Sequence, residues 1–104
     1  MFDLRGKVAL VTGGGRGIGK AIAWAFAEAG ADVAVNYVSE PEKAEVVVMM
    51  IRKLGQRSIA VRGDVSRKDE VDAMVARVEL ELGGNRHPRK QRGHPALRTL
   101  LDDV

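Results

Sequence analysis

The stretch Lys7-Val8-Ala9-Leu10-Val11-Thr12-Gly13-Gly14-Gly15-Arg16-Gly17-Ile18-Gly19-Lys20, KVALVTGGGRGIGK, decides how this 104-residue chain is read. Its first half is a short, Val-rich apolar run of the kind that forms a buried parallel strand. Its second half is a cluster of glycines, which lets a backbone turn tightly and approach a ligand closely. From about Arg16 to Ala29 the apolar residues Ile18, Ile22, Ala25, Phe26 and Ala29 recur at helical spacing, and Gly30 is placed to end the helix. A glycine turn between a strand and a helix is where a phosphate site is expected, because a helix start offers free N–H groups and about half a positive charge.

Working outward from the turn, the pattern repeats. Asp32 to Tyr37, DVAVNY, predicts a second strand. Ser39, with Glu42 three residues on, has the form of a capping box. Ala44, Val47, Val48, Ile51 and Leu54 then make a buried helical stripe, stopped by Gly55. Ser58 to Arg62 predicts a third strand, and Ser66 with Asp69 or Glu70 opens a third helix with Val71, Met74, Val75, Val78 and Leu82 on one face. The order β-α-β-α-β-α implies an α/β fold, a parallel sheet flanked by helices.

Composition narrows the function. Without cysteine there is no disulfide framework, thiolate metal site or catalytic thiol. No apolar run approaches a membrane span and no signal-peptide pattern opens the chain, so a cytoplasmic protein with no membrane partner is expected. The net charge is +3, but residues 1–84 hold twelve Lys/Arg and twelve Asp/Glu. The excess lies in Arg86, Arg89, Lys90, Arg92 and Arg98 against Asp102 and Asp103. The ordered part therefore offers no electrostatic case for nucleic acid.

Three motifs compete for the glycine turn. G-x-G-x-x-G fails on spacing. The P-loop pattern almost fits at Gly14, Gly19 and Lys20, but Ala21 stands where a hydroxyl would meet Mg²⁺. T-G-x-x-x-G-I-G fits throughout as Thr12, Gly13, Gly17, Ile18 and Gly19, and Leu4 to Thr12 fits L-x-G-K-V-A-L-V-T. On these motifs residues 3–84 resemble the short-chain dehydrogenase/reductase family; the bland alternative is a glycine turn with no ligand.

The resemblance implies a Rossmann-like three-layer fold with strand order 3-2-1, a partial NAD(P)-binding domain over residues 1–84. It implies hydride transfer between a nicotinamide dinucleotide and a small carbonyl or alcohol substrate, the latter met only in an intact family member. Gly13, Gly15, Gly17, Ile18 and Gly19 are then expected to hold the pyrophosphate side of the cofactor, with Arg16 beside them as a further cofactor-binding residue. Asp64 is expected to receive the adenine amino group, with help from the Val65 backbone; alternatively Asp64 only ends its strand. Asn36-Tyr37 fills the slot where NAD-specific sites place an acidic residue. A neutral residue there does not repel a 2′-phosphate, and Arg16 could pair with one, so NADP is preferred over NAD, unless Arg16 is a solvated loop charge.

Two features depart from the family. Its Tyr-x-x-x-Lys element has no counterpart: the one tyrosine is Tyr37, and Pro41 stands four residues on. That leaves a second reading, a non-catalytic nucleotide binder or an inert truncated fragment. From Asn85 the periodicity also stops, and residues 85–104 form an aberrant basic tail. Asn85 to His94 can be encoded so that dropping one base yields IDILVNNAG, the family's usual fourth strand. A one-base shift near Gly84 accounts for the tail; a basic arm for phosphates is the alternative. His87 and His94 read as solvated tail residues. With the fourth strand scrambled, the first strand is expected to be an unpaired edge, prone to association.

Overall fold

The computed structural model describes residues 3–13, 15, 17–83 and the backbone of 97–100. The elements run β1 (Val8–Val11), α1 (Gly17–Glu28), β2 (Asp32–Tyr37), α2 (Pro41–Lys53), β3 (Ser58–Arg62), α3 (Lys68–Leu82) and β4 (Leu97–Leu100). All pairings are parallel, and the sheet order is β3-β2-β1-β4. The expected order of the first three strands is present.

Side chains alternate across the sheet, as a strand requires. Val11, Val33 and Val35 face α1 and α2, where they pack with Ala23, Ala27, Val47, Val48 and Ile51. Val8, Leu10, Ala34 and Val61 face α3, against Met74, Val78 and Leu82. Burial on both faces explains why these strands read as continuous apolar runs. The α2 and α3 stripes sit as expected, except that Leu54 is exposed beyond the end of α2.

Four local expectations are corrected. Along α1 the buried residues are Gly19, Ala23 and Ala27, with Ile22 and Phe26 half-buried beside them. Ile18 is 66% exposed, at the helix start, and Ala25 faces solvent. Small residues, not large ones, occupy the inner side, and this lets the helix lie close to the sheet.

Ser39 does not cap α2. Pro41 occupies the first turn and Glu40 is the N-cap, with φ −125° and ψ 77° and no side-chain cap bond. A proline fixes the first helical φ and pushes its predecessor out of the helical region, so it sets the boundary. Ser66 does not cap α3 either. It is drawn into a turn with Asp64, and Arg67 becomes the N-cap.

Finally, β1 is not an edge. Val8 to Val11 pair with Leu97 to Leu100, so the described part of the tail supplies a fourth strand. Residues 85–96, including His87 and His94, and residues 101–104 lie outside the described residues.

Candidate functional site

The carboxyl ends of β1, β2 and β3 lie side by side, which is where open α/β sheets bind ligands. A cleft of about 380 Å³ opens there. One wall is the turn after β1, at Thr12, Gly13 and Gly15. The opposite wall runs from Asn36 and Tyr37 through Val38, Ser39 and Glu40 to Lys43, and Val65 closes one side.

The turn has the conformation that its glycines permit. Gly13 has φ +67° and Gly17 φ +34°, in the region that ordinary residues rarely enter. Gly13, Gly17 and Ile18 are exposed, so the turn opens to solvent. Gly15 has a different reason to be glycine. A Cβ there would lie 3.1 Å from the Ala44 amide nitrogen and 3.2 Å from the Lys43 carbonyl carbon. The turn thus rests directly on the first turn of α2. The first turn of α1 leaves backbone N–H groups without intrahelical partners, and Gly17, Ile18 and Gly19 supply three of them. A narrow backbone cradle at a positive helix end fits a diphosphate, and among the described residues no side chain fills it. Gly14 and Arg16 lie outside the described residues.

Asn36 and Tyr37, adjacent in sequence, point to opposite faces of the sheet. Tyr37 packs half-buried on the α1–α2 side. Asn36 is 2% exposed and faces α3. Its Oδ1 accepts the Gly13 N–H at 3.3 Å, and its Nδ2 donates toward the carbonyls of Val61 at 3.3 Å and Gly63 at 3.0 Å. The Met74 sulfur lies 3.1 Å from the same nitrogen. Asn36 therefore borders the cleft while its amide is spent on the protein itself.

Asp64 folds back onto its own turn. Its Oδ1 accepts the Ser66 N–H at 2.9 Å and the Ser66 hydroxyl at 2.7 Å, while its own N–H donates to Glu70 Oε1 at 2.9 Å. The Ser66 hydroxyl first, then the Ser66 amide and the nearby Arg67 charge, hold the Asp64 carboxyl below its ordinary range. Val65, pushed outward by this turn, reaches the cleft.

Of the residues singled out from sequence, the structure brings Gly13, Gly15, Asn36 and Val65 around one cleft. It places Gly17, Ile18 and Gly19 at the adjoining helix start, and Asp64 behind Val65. Sequence reasoning missed Ser39, Glu40 and Lys43. Lys43 Nζ lies 3.8 Å from Glu40 Oε1, and both side chains remain half-exposed. The signal was their position just after the second strand, in the loop that faces the glycine turn.

Parallel strands, a glycine turn at a helix start and a cleft over the strand ends define a Rossmann-type nucleotide-binding unit. The short chain dehydrogenase family model matches residues 7–85, and the chain belongs to that family. Over 77 residues it is 49% identical to the 3-oxoacyl-[acyl-carrier-protein] reductase FabG of Staphylococcus aureus, a match covering 74% of this chain and 31% of that protein. A short chain dehydrogenase from Burkholderia cenocepacia, solved in complex with NADP, superposes with a TM-score of 0.71 at 49% identity, over 74% of this chain and 31% of that one. A blue fluorescent protein from a metagenomic library, solved in complex with NADPH, gives 0.73 at 39% identity, over 77% and 33%. The chain spans about a third of the length of the relatives it matches. Among the described residues no helix is long and apolar enough to cross a membrane.

Proposed function

We propose that residues 1–84 form the cofactor-binding portion of an NAD(P)-dependent oxidoreductase of the short-chain type, with NADP preferred over NAD. The observation that carries this is the open glycine turn seated on α2, facing a cleft whose far wall contains Ser39 and Lys43. Gly13, Gly15, Gly17, Ile18 and Gly19 hold the pyrophosphate, and Arg16 pairs with the ribose 2′-phosphate. Asp64 receives the adenine amino group, with help from the Val65 backbone, while its Oδ1 holds the Ser66 turn. Ser39 and Lys43 lie where a ribose 2′-phosphate would fall, with a hydroxyl and an ammonium to meet it. The Glu40 carboxylate opposes this, but its pairing with Lys43 leaves both groups in solvent, where such pairs are weak and rearrange readily.

The bound nicotinamide supplies a hydride acceptor or donor. A small carbonyl or alcohol substrate would be met only in an intact family member. Tyr37 packs half-buried on the α1–α2 side at the adenosine end, with Pro41 and not lysine four residues on, so it is not the residue that passes a proton to the substrate in this family. Residues 85–94 are the family's fourth-strand segment read one base out of frame; the family match ends at residue 85, where that shift begins.

Fluorescence titration of the purified chain with NADPH and NADH tests the binding reading. Saturable binding with NADPH tighter is expected. Binding of neither dinucleotide overturns the reading, and Mg-ATP binding in their place would favour the P-loop alternative.

A further inference from the structure

The Asn36 side chain joins the carboxyl ends of three adjacent strands. Its own strand is β2. Through Oδ1 it holds the first glycine after β1, and through Nδ2 it holds the carbonyls of Val61, inside β3, and Gly63, just after it. The Tyr37 carbonyl reinforces the same clamp by accepting the Gly63 N–H at 3.0 Å. The ends of β1 and β3 carry two parts of the cleft that a dinucleotide must touch at once. The glycine turn leaves from β1, and the Asp64–Val65 turn leaves from β3.

The surroundings leave this amide little freedom. It is 2% exposed. The Met74 side chain packs against Nδ2 and also lies where a Cβ on Gly63 would be, at 2.8 Å. A carboxamide is suited to the position because it donates on one side and accepts on the other without charge. A carboxylate would face two carbonyl oxygens, and an apolar side chain would leave buried backbone groups without partners.

We infer that Asn36 is a positioning residue that fixes the glycine turn relative to the Asp64–Val65 turn, and so sets the separation of the pyrophosphate and adenine subsites. It touches no ligand in this role. The inference rests on the dinucleotide-binding reading above, and it also has a readout in the ligand-free chain.

The test uses the full chain and its Asn36→Leu and Asn36→Asp variants. ADP-ribose, which spans both subsites, and adenosine 5′-monophosphate, which engages mainly one wall, are titrated by calorimetry. In Asn36→Leu the affinity for ADP-ribose falls about tenfold or more, the scale of losing a buried hydrogen-bonded group, while that for the monophosphate changes less than about threefold. A general loss of structure would weaken both alike. Asn36→Asp keeps the acceptor for Gly13 but loses the donors toward β3, so it shows the same split. In the ligand-free native chain, the Asn36 side-chain amide protons give a separate, slowly exchanging NMR pair coupled through space to Gly63. Equal weakening of both ligands, native-like ADP-ribose binding by a folded Asn36→Leu, or side-chain amide protons that exchange as freely as exposed ones would each overturn the inference. If the native chain binds neither ligand, the dinucleotide reading fails, and the amide signature alone decides whether Asn36 clamps the strands.

Discussion

Gly15 shows how little space the site leaves at single residues. A Cβ would meet the Lys43–Ala44 backbone at 3.1–3.3 Å. Alanine needs α2 to give by a few tenths of an ångström, whereas Gly15→Val adds two further methyl groups that crowd α2 or project into the cleft. We expect Gly15→Val to cost about 1–3 kcal/mol in a chemical melt, from overpacking, and to weaken NADPH binding. Lys43 tests the cofactor preference. Lys43→Glu puts a carboxylate beside the proposed 2′-phosphate, so the NADPH-over-NADH preference in a fluorescence titration should fall by about tenfold or invert, the scale of a charge-assisted bond. At Asp64 the sign is set by a lowered carboxyl. A depressed folded-state value contributes stability above the ordinary carboxylate range, and that contribution is lost as pH falls through the lowered value. Removing the leading cause by Ser66→Ala should move the Asp64 titration, followed by carboxyl NMR, back toward its ordinary value of 3.8. Asp3, lowered to about 2 chiefly by the Arg5 side chain, follows the same sign at the surface.

At the scale of elements, Arg57 ties together three segments at the opposite end of the sheet. The Arg57 N–H and Nε donate to the Asp32 carboxylate at 2.9 and 3.1 Å, and Nη2 donates to the Leu82 carbonyl at 2.6 Å. Arg57 thereby links the start of β2 and the approach to β3 with the last turn of α3. The Asp32 side chain is only 3% exposed. We expect Arg57→Ala to lower stability by about 2–4 kcal/mol in urea, because a buried carboxylate loses a cationic partner and a helix carbonyl loses its donor. Nucleotide affinity per folded molecule should change little, since Arg57 lies at the end of the sheet away from the cleft. The elements also show where sequence reading succeeds. Val33, Ala34 and Val35 form a continuous apolar run, and Val47, Val48 and Ile51 follow a helical period, so both elements were legible. The α1 stripe was not, because Ala23 and Ala27 carry little hydrophobic signal yet occupy the closest approach to the sheet. Nor were the two capping boxes, since Pro41 and the Asp64–Ser66 turn competed for the same residues locally.

Across the whole molecule, β4 changes what the tail means for stability. Sequence pattern alone makes β1 an open edge. The structure covers it with Leu97–Leu100 in parallel register. In a parallel ladder alternate residues direct their N–H to a given neighbour, so of Arg98 and Thr99 one donates toward β1 and the other away. Proline at the donating position removes a ladder bond. One of Arg98→Pro and Thr99→Pro should therefore lower the melting temperature and raise self-association in gel filtration, and the other should do so much less. The coding sequence addresses the out-of-frame reading directly. Codons for Asn85 to His94 that cannot yield IDILVNNAG one base on would remove it.

The sequence by itself determined the order of strands and helices, their parallel pairing, the glycine turn and the family, because periodicity and short motifs are local properties of the chain. The tertiary structure alone decided which residues meet. It put Lys43 and Ser39 across from Gly13, turned Asn36 inward to bind three strand ends, and folded Asp64 onto Ser66. It also placed Leu97–Leu100 beside Val8–Val11. Those outcomes depend on which face of a strand a residue occupies and on which distant groups compete for its hydrogen bonds, and neither is fixed until the sheet has formed.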